Sequence, residues 1–170
     1  MTFAVRRLGP GDAEAFRALR LFALATAPVA FASSPEEDGA LSMETIRGRL
    51  PSVGPNAVFG GFADDELVGI AGFVLSGKLK HRHKGLMWGV FVSPRWQGHG
   101  LGASLVRAVI AHAADHARVV QAGVLMTNYV ARKLYRSLGF EPYGIERKAL
   151  QVGGVFHDEE LIALEFPAPR

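Results

Sequence analysis

The sequence contains no cysteine among its 170 residues. This absence excludes a disulfide framework, a thiolate metal site and a cysteine nucleophile. Long apolar runs are also missing, because residues 13–32, the most apolar stretch, are interrupted by Arg17 and Arg20. A membrane-spanning helix needs about 20 largely apolar residues, and no apolar core of a signal peptide follows the first arginines. We therefore expect a cytoplasmic protein without a membrane partner.

The sequence also has only a small excess of basic over acidic residues. The chain has 19 basic and 16 acidic residues and a formal net charge of +3, whereas nucleic-acid binders usually carry a larger and more clustered excess. The dense basic cluster is residues 78–84, Lys-Leu-Lys-His-Arg-His-Lys, here called the basic loop. A hydrophobic fraction of 49% is ordinary for a globular protein. The length suits one domain, which we expect to span residues 1–170.

Hydrophobic periodicity along the chain predicts strands and helices that alternate irregularly. The predicted strands cover residues 2–8, 57–62, 67–75, 85–92, 119–125, 140–152 and 155–166. The predicted helices cover residues 12–27, 42–50, 101–116 and 129–138. Residues 28–39, rich in Ser, Pro and acidic side chains, are interpreted as a loop. The order β-α-α-β-β-β-α-β-α-β-β predicts a mixed α/β sandwich around one sheet and lacks the alternation of a doubly wound fold.

The turn after the fourth predicted strand has glycines at alternate positions, Gly98, Gly100 and Gly102, and leads into a helix. Glycine allows the backbone to approach a ligand closely, and N–H groups at a helix N-terminus bind anions such as a pyrophosphate. These residues alone leave open an ordinary tight turn without a ligand. Neither a Walker loop nor the G-x-G-x-x-G of dinucleotide folds matches the spacing.

Residues 97–102, Gln-Gly-His-Gly-Leu-Gly, resemble the Q/R-x-x-G-x-G/A acyl-CoA signature of the GNAT superfamily of N-acetyltransferases. Residues 128–140 resemble a second family pattern, N-x-x-A-x-x-L-Y-x-x-x-G-F. The predicted order of elements also matches, so the resemblance covers essentially the whole chain. It implies a GNAT-like α/β (α+β) fold: a mixed, mostly antiparallel central sheet of about seven strands, with about four helices packed on both faces.

The resemblance implies acetyl-CoA as cosubstrate, no metal, and a role for each matching residue. Backbone groups of Phe91 and Val92, where the fourth and fifth strands splay, would hold the acetyl and pantetheine amide groups. Asn128 would hydrogen-bond the pantetheine arm, and Tyr135 would lie near the sulfur and protonate the departing thiolate. Backbone N–H groups of seven residues would surround the pyrophosphate: Gln97, Gly98, His99, Gly100, Leu101, Gly102 and Ala103. We expect no catalytic part for the His99 ring.

Two of these roles agree with simple chemistry. Attack of an amine on a thioester generates an oxyanion, which the Val92 N–H would stabilise by about 3 kcal/mol. A thiol has a pKa of about 8.5 and a tyrosine about 10, so Tyr135 can donate a proton. A packing role for the Tyr135 ring and a helix N-cap role for Asn128 remain alternatives.

The general base is not identified by the resemblance. An alkylamine has a pKa of about 10.4 and must lose a proton before it attacks. Some family members place a glutamate on the fourth strand, but residues 85–92 contain no carboxylate. Five side chains are candidates, each equally consistent with a surface charge: Glu146, Asp158, Glu159, Glu36 and His83. Glu146 and Asp158 are favoured because they lie on the closing strands.

Two further regions of the sequence are candidate ligand sites. The basic loop is separated from Val92 by eight strand residues, about 26 Å, so we interpret it as a solvated hairpin away from the pyrophosphate, and whether it binds anything is open. The resemblance places the acceptor pocket in residues 31–43 and the last two strands. There Glu36, Glu37 and Asp38 would attract a cationic amine, or be simply solvated.

We therefore expect an N-acetyltransferase that moves the acetyl group of acetyl-CoA to a primary amine, either a small molecule or a peptide N-terminus. Direct attack in a ternary complex is favoured, because the chain has no cysteine for a covalent acetyl-enzyme. The alternative is a non-catalytic acyl-CoA-binding module that senses the cofactor. The missing strand carboxylate favours that alternative, and Tyr135 disfavours it. We expect no nucleic-acid partner, and the sequence leaves a homodimer open.

Overall fold

One mostly antiparallel sheet organises the computed structural model, which describes residues 2–167. The strands are β1 Ala4–Arg7, β2 Ala57–Ala63, β3 Glu66–Leu75, β4 Lys84–Val92, β5 Val119–Leu125, β6 Glu141–Val152 and β7 Val155–Glu165. Their order across the sheet is β1-β2-β3-β4-β5-β7-β6. Every neighbouring pair is antiparallel except β4 and β5, which run parallel. The predicted fold class is therefore confirmed.

Five α-helices surround this sheet in the described part of the chain. They are α1 Ala13–Thr26, α2 Pro35–Gly39, α3 Met43–Gly48, α4 Leu101–Ala114 and α5 Tyr129–Ser137. Across residues 2–167, no helix has both the length and the apolar character to cross a membrane.

The short helix α2 corrects the interpretation of residues 28–39 as a loop. Ser34 caps its N-terminus, because the Ser34 hydroxyl accepts the Glu37 N–H at 3.2 Å and the Glu37 carboxylate accepts the Ser34 N–H at 2.8 Å. This reciprocal capping box satisfies two N–H groups that a helix start leaves free. Pro35, at the first helical position, has no N–H to leave unpaired.

The sheet divides the core into two layers. Helix α4 buries Leu101, Leu105 and Val109 against one face, and α5 lies on the same side. Helix α1 packs on the opposite side, in a layer that contains Phe16 of α1 and Phe91 of β4 among other apolar side chains. These two sides of the sheet are called the α4/α5 face and the α1 face below.

Strands β4 and β5 open a gap in the middle of the sheet. Their parallel register covers three pairs at one end, from Lys84 with Val119 to Leu86 with Gln121. Beyond Leu86 no further register pair joins them among the described residues. The gap therefore opens towards the C-terminal ends of both strands, and the basic loop, which precedes β4, lies at the closed end as expected.

A bulge in β4 accompanies this gap. Ile70 of β3 pairs with Phe91 of β4, and Gly72 of β3 pairs with Trp88 of β4. An interval of two residues on β3 therefore lies opposite an interval of three residues on β4. Gly89 supplies the extra residue and adopts φ +64°, a left-handed conformation that glycine tolerates. Because a bulge bends its strand, β4 can turn away from β5 while remaining paired with β3.

Candidate functional site

A cleft of about 570 Å³ occupies the gap between β4 and β5. Its walls come from β4, the glycine-rich turn, β5, α5 and one residue of β7. Nine residues predicted from the resemblance line it: Phe91, Val92, Gln97, Gly98, Gly100, Gly102, Ala103, Asn128 and Tyr135. The other two do not, because the His99 side chain is exposed and the Leu101 side chain is buried in the core.

The glycine-rich turn ends in the N-terminus of α4 at the edge of this cleft. Gly98 and Gly100 have φ +78° and +85°, and a side chain at either position would meet nothing within 4 Å. The backbone conformation, rather than space, therefore requires glycine there. The hydrogen bonding of α4 begins at Ser104, whose N–H donates to the Gly100 carbonyl at 3.1 Å. The preceding N–H groups have no partner within the helix and suit an anion.

Gln97 differs from the other residues of the turn. Its backbone N–H donates to the Pro94 carbonyl at 3.3 Å and is engaged within the protein. Its side-chain Nε2 donates to the Val92 carbonyl at 2.9 Å. Gln97 thus ties the turn to the end of β4, whereas the expectation was a ligand contact through its backbone N–H.

The backbone of Val92 faces the gap. The next residue, Ser93, donates its N–H to the Val68 carbonyl of β3 at 2.8 Å, and adjacent strand residues direct their polar groups to opposite edges. The Val92 N–H is therefore directed away from β3 and towards the cleft. By the same alternation Phe91, which pairs with Ile70, directs its own N–H to β3. Of the two predicted backbone contacts, the fold therefore leaves the Val92 N–H free and engages the Phe91 N–H with β3, while the Val92 carbonyl accepts the Gln97 side chain.

Tyr135 lies on α5 with its side chain buried and in contact with the cleft. Its ring packs edge-on against Phe140, with 5.9 Å between ring centres. Burial raises the pKa of the Tyr135 hydroxyl to about 12, above the ordinary value assumed from the sequence. The hydroxyl therefore keeps its proton through neutral and moderately alkaline pH, and it is a weaker acid towards a departing thiolate than a tyrosine of ordinary pKa.

Asn128 is the N-cap residue of α5 and lines the cleft. Its side-chain oxygen accepts the Ala131 N–H at 3.0 Å, so the predicted N-cap alternative is realised. The amide NH₂ group is not used by this cap, and the contact with a pantetheine arm stays a prediction.

Helix α5 is fastened to β7 through Glu160. The buried carboxylate accepts hydrogen bonds from Arg132 Nη2 at 2.9 Å and Arg136 Nη2 at 2.8 Å. The hydrogen bond from Arg132 is the largest cause that lowers the Glu160 pKa. Asn128 and Tyr135 are therefore positioned by an ion pair on the α4/α5 face of the sheet.

The preceding residue, Glu159, lies on the opposite face and reaches the cleft. Glu159 pairs with Leu125 of β5. Its Oε2 lies over Gly123, so close that a Cβ atom at that position would be only 2.6 Å away. Partial burial, followed by the negative charge of Glu146, raises the pKa of the Glu159 carboxyl. The cleft thus contains one carboxylate, at its edge on the α1 face.

The sequence preference for Glu146 and Asp158 as bases is not supported by their positions. Glu146 is exposed on β6, and Asp158 accepts the Lys148 N–H at 2.8 Å and faces Arg147. The exposed Glu36 and His83 do not line the cleft either. Residue type and strand membership were visible in the sequence, but the register of β7 on β5 decides which carboxylate enters the gap.

The acidic segment 36–38 also differs from expectation. The buried Asp38 accepts a hydrogen bond from Arg20 Nε at 2.8 Å and lies 3.7 Å from Arg49 Nη1. Glu37 is used in the cap of α2. Two of the three predicted attractants for a cationic amine are therefore engaged within the protein.

Comparison with known sequences identifies the family. The acetyltransferase (GNAT) family model matches residues 23–140. The probable N-acetyltransferase YjcK of Bacillus subtilis is 28% identical over 109 residues, which cover 62% of this chain and 58% of YjcK. The N-alpha-acetyltransferase RimI of Mycobacterium tuberculosis is 40% identical over 65 residues, or 37% of this chain and 39% of RimI. The chain thus matches less than two thirds of the length of either relative.

Solved structures share the fold over nearly the whole chain. An acetyltransferase of the GNAT family from Streptococcus pneumoniae superposes with a TM-score of 0.84 at 21% identity, covering 98% of this chain and 100% of that chain. A putative acetyltransferase from Salmonella typhimurium, yncA, solved with its cofactor acetyl-CoA, has a TM-score of 0.81 at 23% identity, covering 100% and 99%. At these identities the likeness concerns the fold.

Proposed function

The chain belongs to the GNAT family of acetyltransferases, and we propose that it transfers the acetyl group of acetyl-CoA to a primary amine by direct attack in a ternary complex. One observation carries this proposal: a single cleft joins a glycine-rich helix N-terminus, a free strand N–H and a protonated tyrosine to a carboxylate on the other face of the sheet. The acceptor is a small-molecule amine or a peptide N-terminus.

The glycine-rich turn would hold the cosubstrate. Backbone N–H groups of residues 98–103 suit its pyrophosphate, because they combine free donors with the positive end of α4. His99 and Leu101 would contribute through the backbone alone. The Asn128 amide would donate to the pantetheine arm, while Phe91 would form part of the wall rather than donate from its N–H.

Three groups would act on the reaction. Acetyl-CoA, when bound, supplies an activated thioester. The Val92 N–H would donate a hydrogen bond to the acetyl oxygen, where negative charge develops as the amine attacks. Glu159 would take the proton from the incoming ammonium, and its raised pKa makes it a stronger base than an exposed glutamate. Tyr135 would give its proton to the departing sulfur.

A binding module without catalysis was the alternative, and its support came from the absence of a carboxylate on β4. Glu159 on β7 supplies a carboxylate to the same cleft from another strand. The catalytic proposal is therefore favoured. A cytoplasmic location remains a prediction from the sequence, and the sequence leaves a homodimer open.

The test is thiol release from acetyl-CoA, read with a disulfide dye, against polyamines, amino acids, aminoglycosides and short peptides with free N-termini. The protein adds no thiol background, because it has no cysteine. We expect release that depends on one class of amine and is absent without an amine. Binding of acetyl-CoA without release for any amine would contradict the proposal and favour the binding module.

A further inference from the structure

Arg20 of α1 is a buried charge whose hydrogen bonding is incomplete. Its side chain is 9% exposed, and its Nε donates to Asp38. The buried Nη1 atom has no hydrogen-bond acceptor among the residues that the structure describes. A buried donor without an acceptor is costly, so that nearly all such groups in proteins are paired. Nη1 is therefore available to an acceptor from outside the protein chain.

The position of Nη1 relates this donor to the cleft. Nη1 lies beside Gly89, the left-handed residue of the β4 bulge. If Gly89 carried a Cβ atom, that atom would be 3.3 Å from Nη1. Gly89 and Trp88 line the cleft in which we place acetyl transfer. The Arg20 guanidinium also lies 4.9 Å from the Phe31 ring and 5.8 Å from the Trp88 ring, which hold it in place.

A second cavity of about 440 Å³ adjoins the same residues. Arg20, Arg49, Ser33 and Asn56 supply polar groups to its lining, and Trp88 lines both this cavity and the cleft. Trp88 packs with the α1 layer of the core, which is also the face that Glu159 occupies. Glu159 therefore lines the cleft and Arg20 lines the second cavity on this face, and Trp88 borders both spaces.

The charges around this cavity indicate what it binds. Asp38 carries one negative charge and faces two arginines, Arg20 and Arg49, so the three groups sum to one positive charge. A single carboxylate balances that charge, whereas a phosphate dianion would leave an excess of negative charge. Guanidinium groups also match carboxylates in geometry.

We propose that Arg20 binds a carboxylate of the acceptor, and that the acceptor is a free amino acid. This inference rests on the proposed function, because the amine must reach the cleft. It deepens that function by naming the substrate class. A purely structural role for Arg20, in which it fastens α2 to α1, uses Nε and Asp38 and gives no dependence on the acceptor's carboxylate.

The first experiment compares each amino acid with its carboxamide as an acceptor. The carboxamide has the less basic amine, so amine chemistry alone would favour it. We expect kcat/KM to be about tenfold to a hundredfold higher for the acid, the usual value of a hydrogen bond to a charged group. Equal or better rates for the carboxamides in the unmodified protein would overturn the inference without any variant.

A variant then assigns the preference to Arg20. Arg20→Lys keeps the positive charge but lacks the planar guanidinium fork that presents separate N–H groups to Asp38 and to a ligand carboxylate, so we expect the preference to fall below about threefold while the carboxamide rate persists. The matched control is Arg17→Lys, on the same helix, which bonds the Gly39 carbonyl of α2 and does not line the second cavity. An undiminished preference in folded Arg20→Lys would refute the assignment.

A binding measurement separates this inference from the proposed function. N-acetyl amino acids, the expected products, should raise the melting temperature of the wild type more than their carboxamides do, and this difference should vanish in Arg20→Lys. Such binding without thiol release for any amine would support the carboxylate site and refute acetyl transfer. Acetyl transfer with no binding difference between acid and carboxamide would refute the carboxylate site alone.

Discussion

Glu159 and Glu160 are adjacent on β7 and have pKa shifts of opposite sign. A strand directs successive side chains to opposite faces, so Glu160 meets the arginines of α5 while Glu159 enters the cleft. Hydrogen bonding to Arg132 lowers the Glu160 pKa, and burial raises that of Glu159. One carboxylate thereby suits a structural ion pair and its neighbour suits proton transfer.

Replacing Glu159 by Gln should lower the acetylation rate by about 100-fold at pH 7, because the base that deprotonates the amine is lost. The deficit should shrink as the pH approaches the pKa of the acceptor amine, because a growing fraction of the amine is then neutral without help. The measurement is kcat/KM from pH 6 to pH 10 for both proteins. A deficit that is constant over this range would contradict a role as base.

Glu146→Gln is the matched control for that experiment. Glu146 is exposed, and its negative charge contributes to the raised pKa of Glu159. Removing that charge should lower the Glu159 pKa, so the acid limb of the pH profile should move to lower pH while the maximal rate is retained. A shift in the opposite direction would show that another group controls the profile.

Tyr135→Phe should reduce kcat by about 100-fold or more and change acetyl-CoA affinity little, because only the proton donor is removed. The ring and its packing on Phe140 persist, so the variant should fold. With a Tyr135 pKa of about 12, wild-type activity should show no loss from Tyr135 ionisation below pH 10. Equal rates for the variant and the wild type would exclude Tyr135 as the acid.

The control is Tyr129→Phe, which removes a hydroxyl from the exposed first residue of the same helix. We expect this variant to keep the wild-type rate. Steady-state rates and acetyl-CoA titrations of the two tyrosine variants then separate a loss of the acid from a change in α5.

At the scale of elements, α5 depends on its ion pair with β7. Glu160→Gln should lower the free energy of unfolding by about 2 kcal/mol at pH 7, because two arginines lose a buried charged partner. The folded-state Glu160 pKa lies below the unfolded value of about 4.3. Its contribution is therefore present above pH 4.3 and is lost as the pH falls through the folded-state pKa.

Urea denaturation at pH 7 and pH 3 measures both quantities for wild type and variant. The difference in unfolding free energy should be smaller at pH 3. Glu165→Gln, on the same strand but exposed, is the control and should change stability by less than about 0.5 kcal/mol. An E160Q effect that is equal at both pH values would argue against the ion pair as its cause.

The long elements were predictable because their periodicity is strong, as for α4 and β5. Helix α2 was missed because its Ser, Pro and acidic residues are typical of a loop, although Ser34 and Glu37 at capping-box spacing were a usable signal. In β6 the register shifts on both sides of the middle, and Lys148 has φ +54°. Such bulges change which face a residue occupies, and period-two alternation does not predict them.

The residues of the site likewise fall into two groups, those that the local sequence predicts and those that it does not. The glycine-rich turn, Asn128 and Tyr135 follow from motifs that are local in sequence. Glu159 and Arg20 depend instead on contacts between distant segments, the register of β7 on β5 and the pairing with Asp38. An arginine on an amphipathic helix is ordinarily solvent-facing, so nothing local marked Arg20 as buried.

At the scale of the whole molecule, the cleft lies between two half-sheets, β1–β4 and β5–β7. A ligand held by both halves binds the folded state alone and stabilises it by mass action. Acetyl-CoA at about 100 times its Kd should add about 2.7 kcal/mol, or about 5–10 °C in melting temperature. Differential scanning fluorimetry measures the shift.

Acetyl-pantetheine, which lacks the pyrophosphate, is the control ligand for that measurement. It should give a smaller shift at equal concentration, because the N–H groups of residues 98–103 would have no anion to bind. An equal shift for the two ligands would indicate that the glycine-rich turn makes no contact with the pyrophosphate.

Three register pairs at the closed end of the gap join β4 to β5, and beyond them β4 is paired, among the described residues, with β3 alone, so β4 moves relative to β5 together with β3. From Lys84 to Val92 the strand is about 26 Å long, so a rotation of about 2° at its base moves the Val92 N–H by about 1 Å. A displacement of about 1 Å in a reacting group can cost about 100-fold in rate. The width of the gap at Val92 therefore depends on the three register pairs next to the basic loop. Substitutions there would therefore change the acetylation rate without changing any residue that lines the cleft.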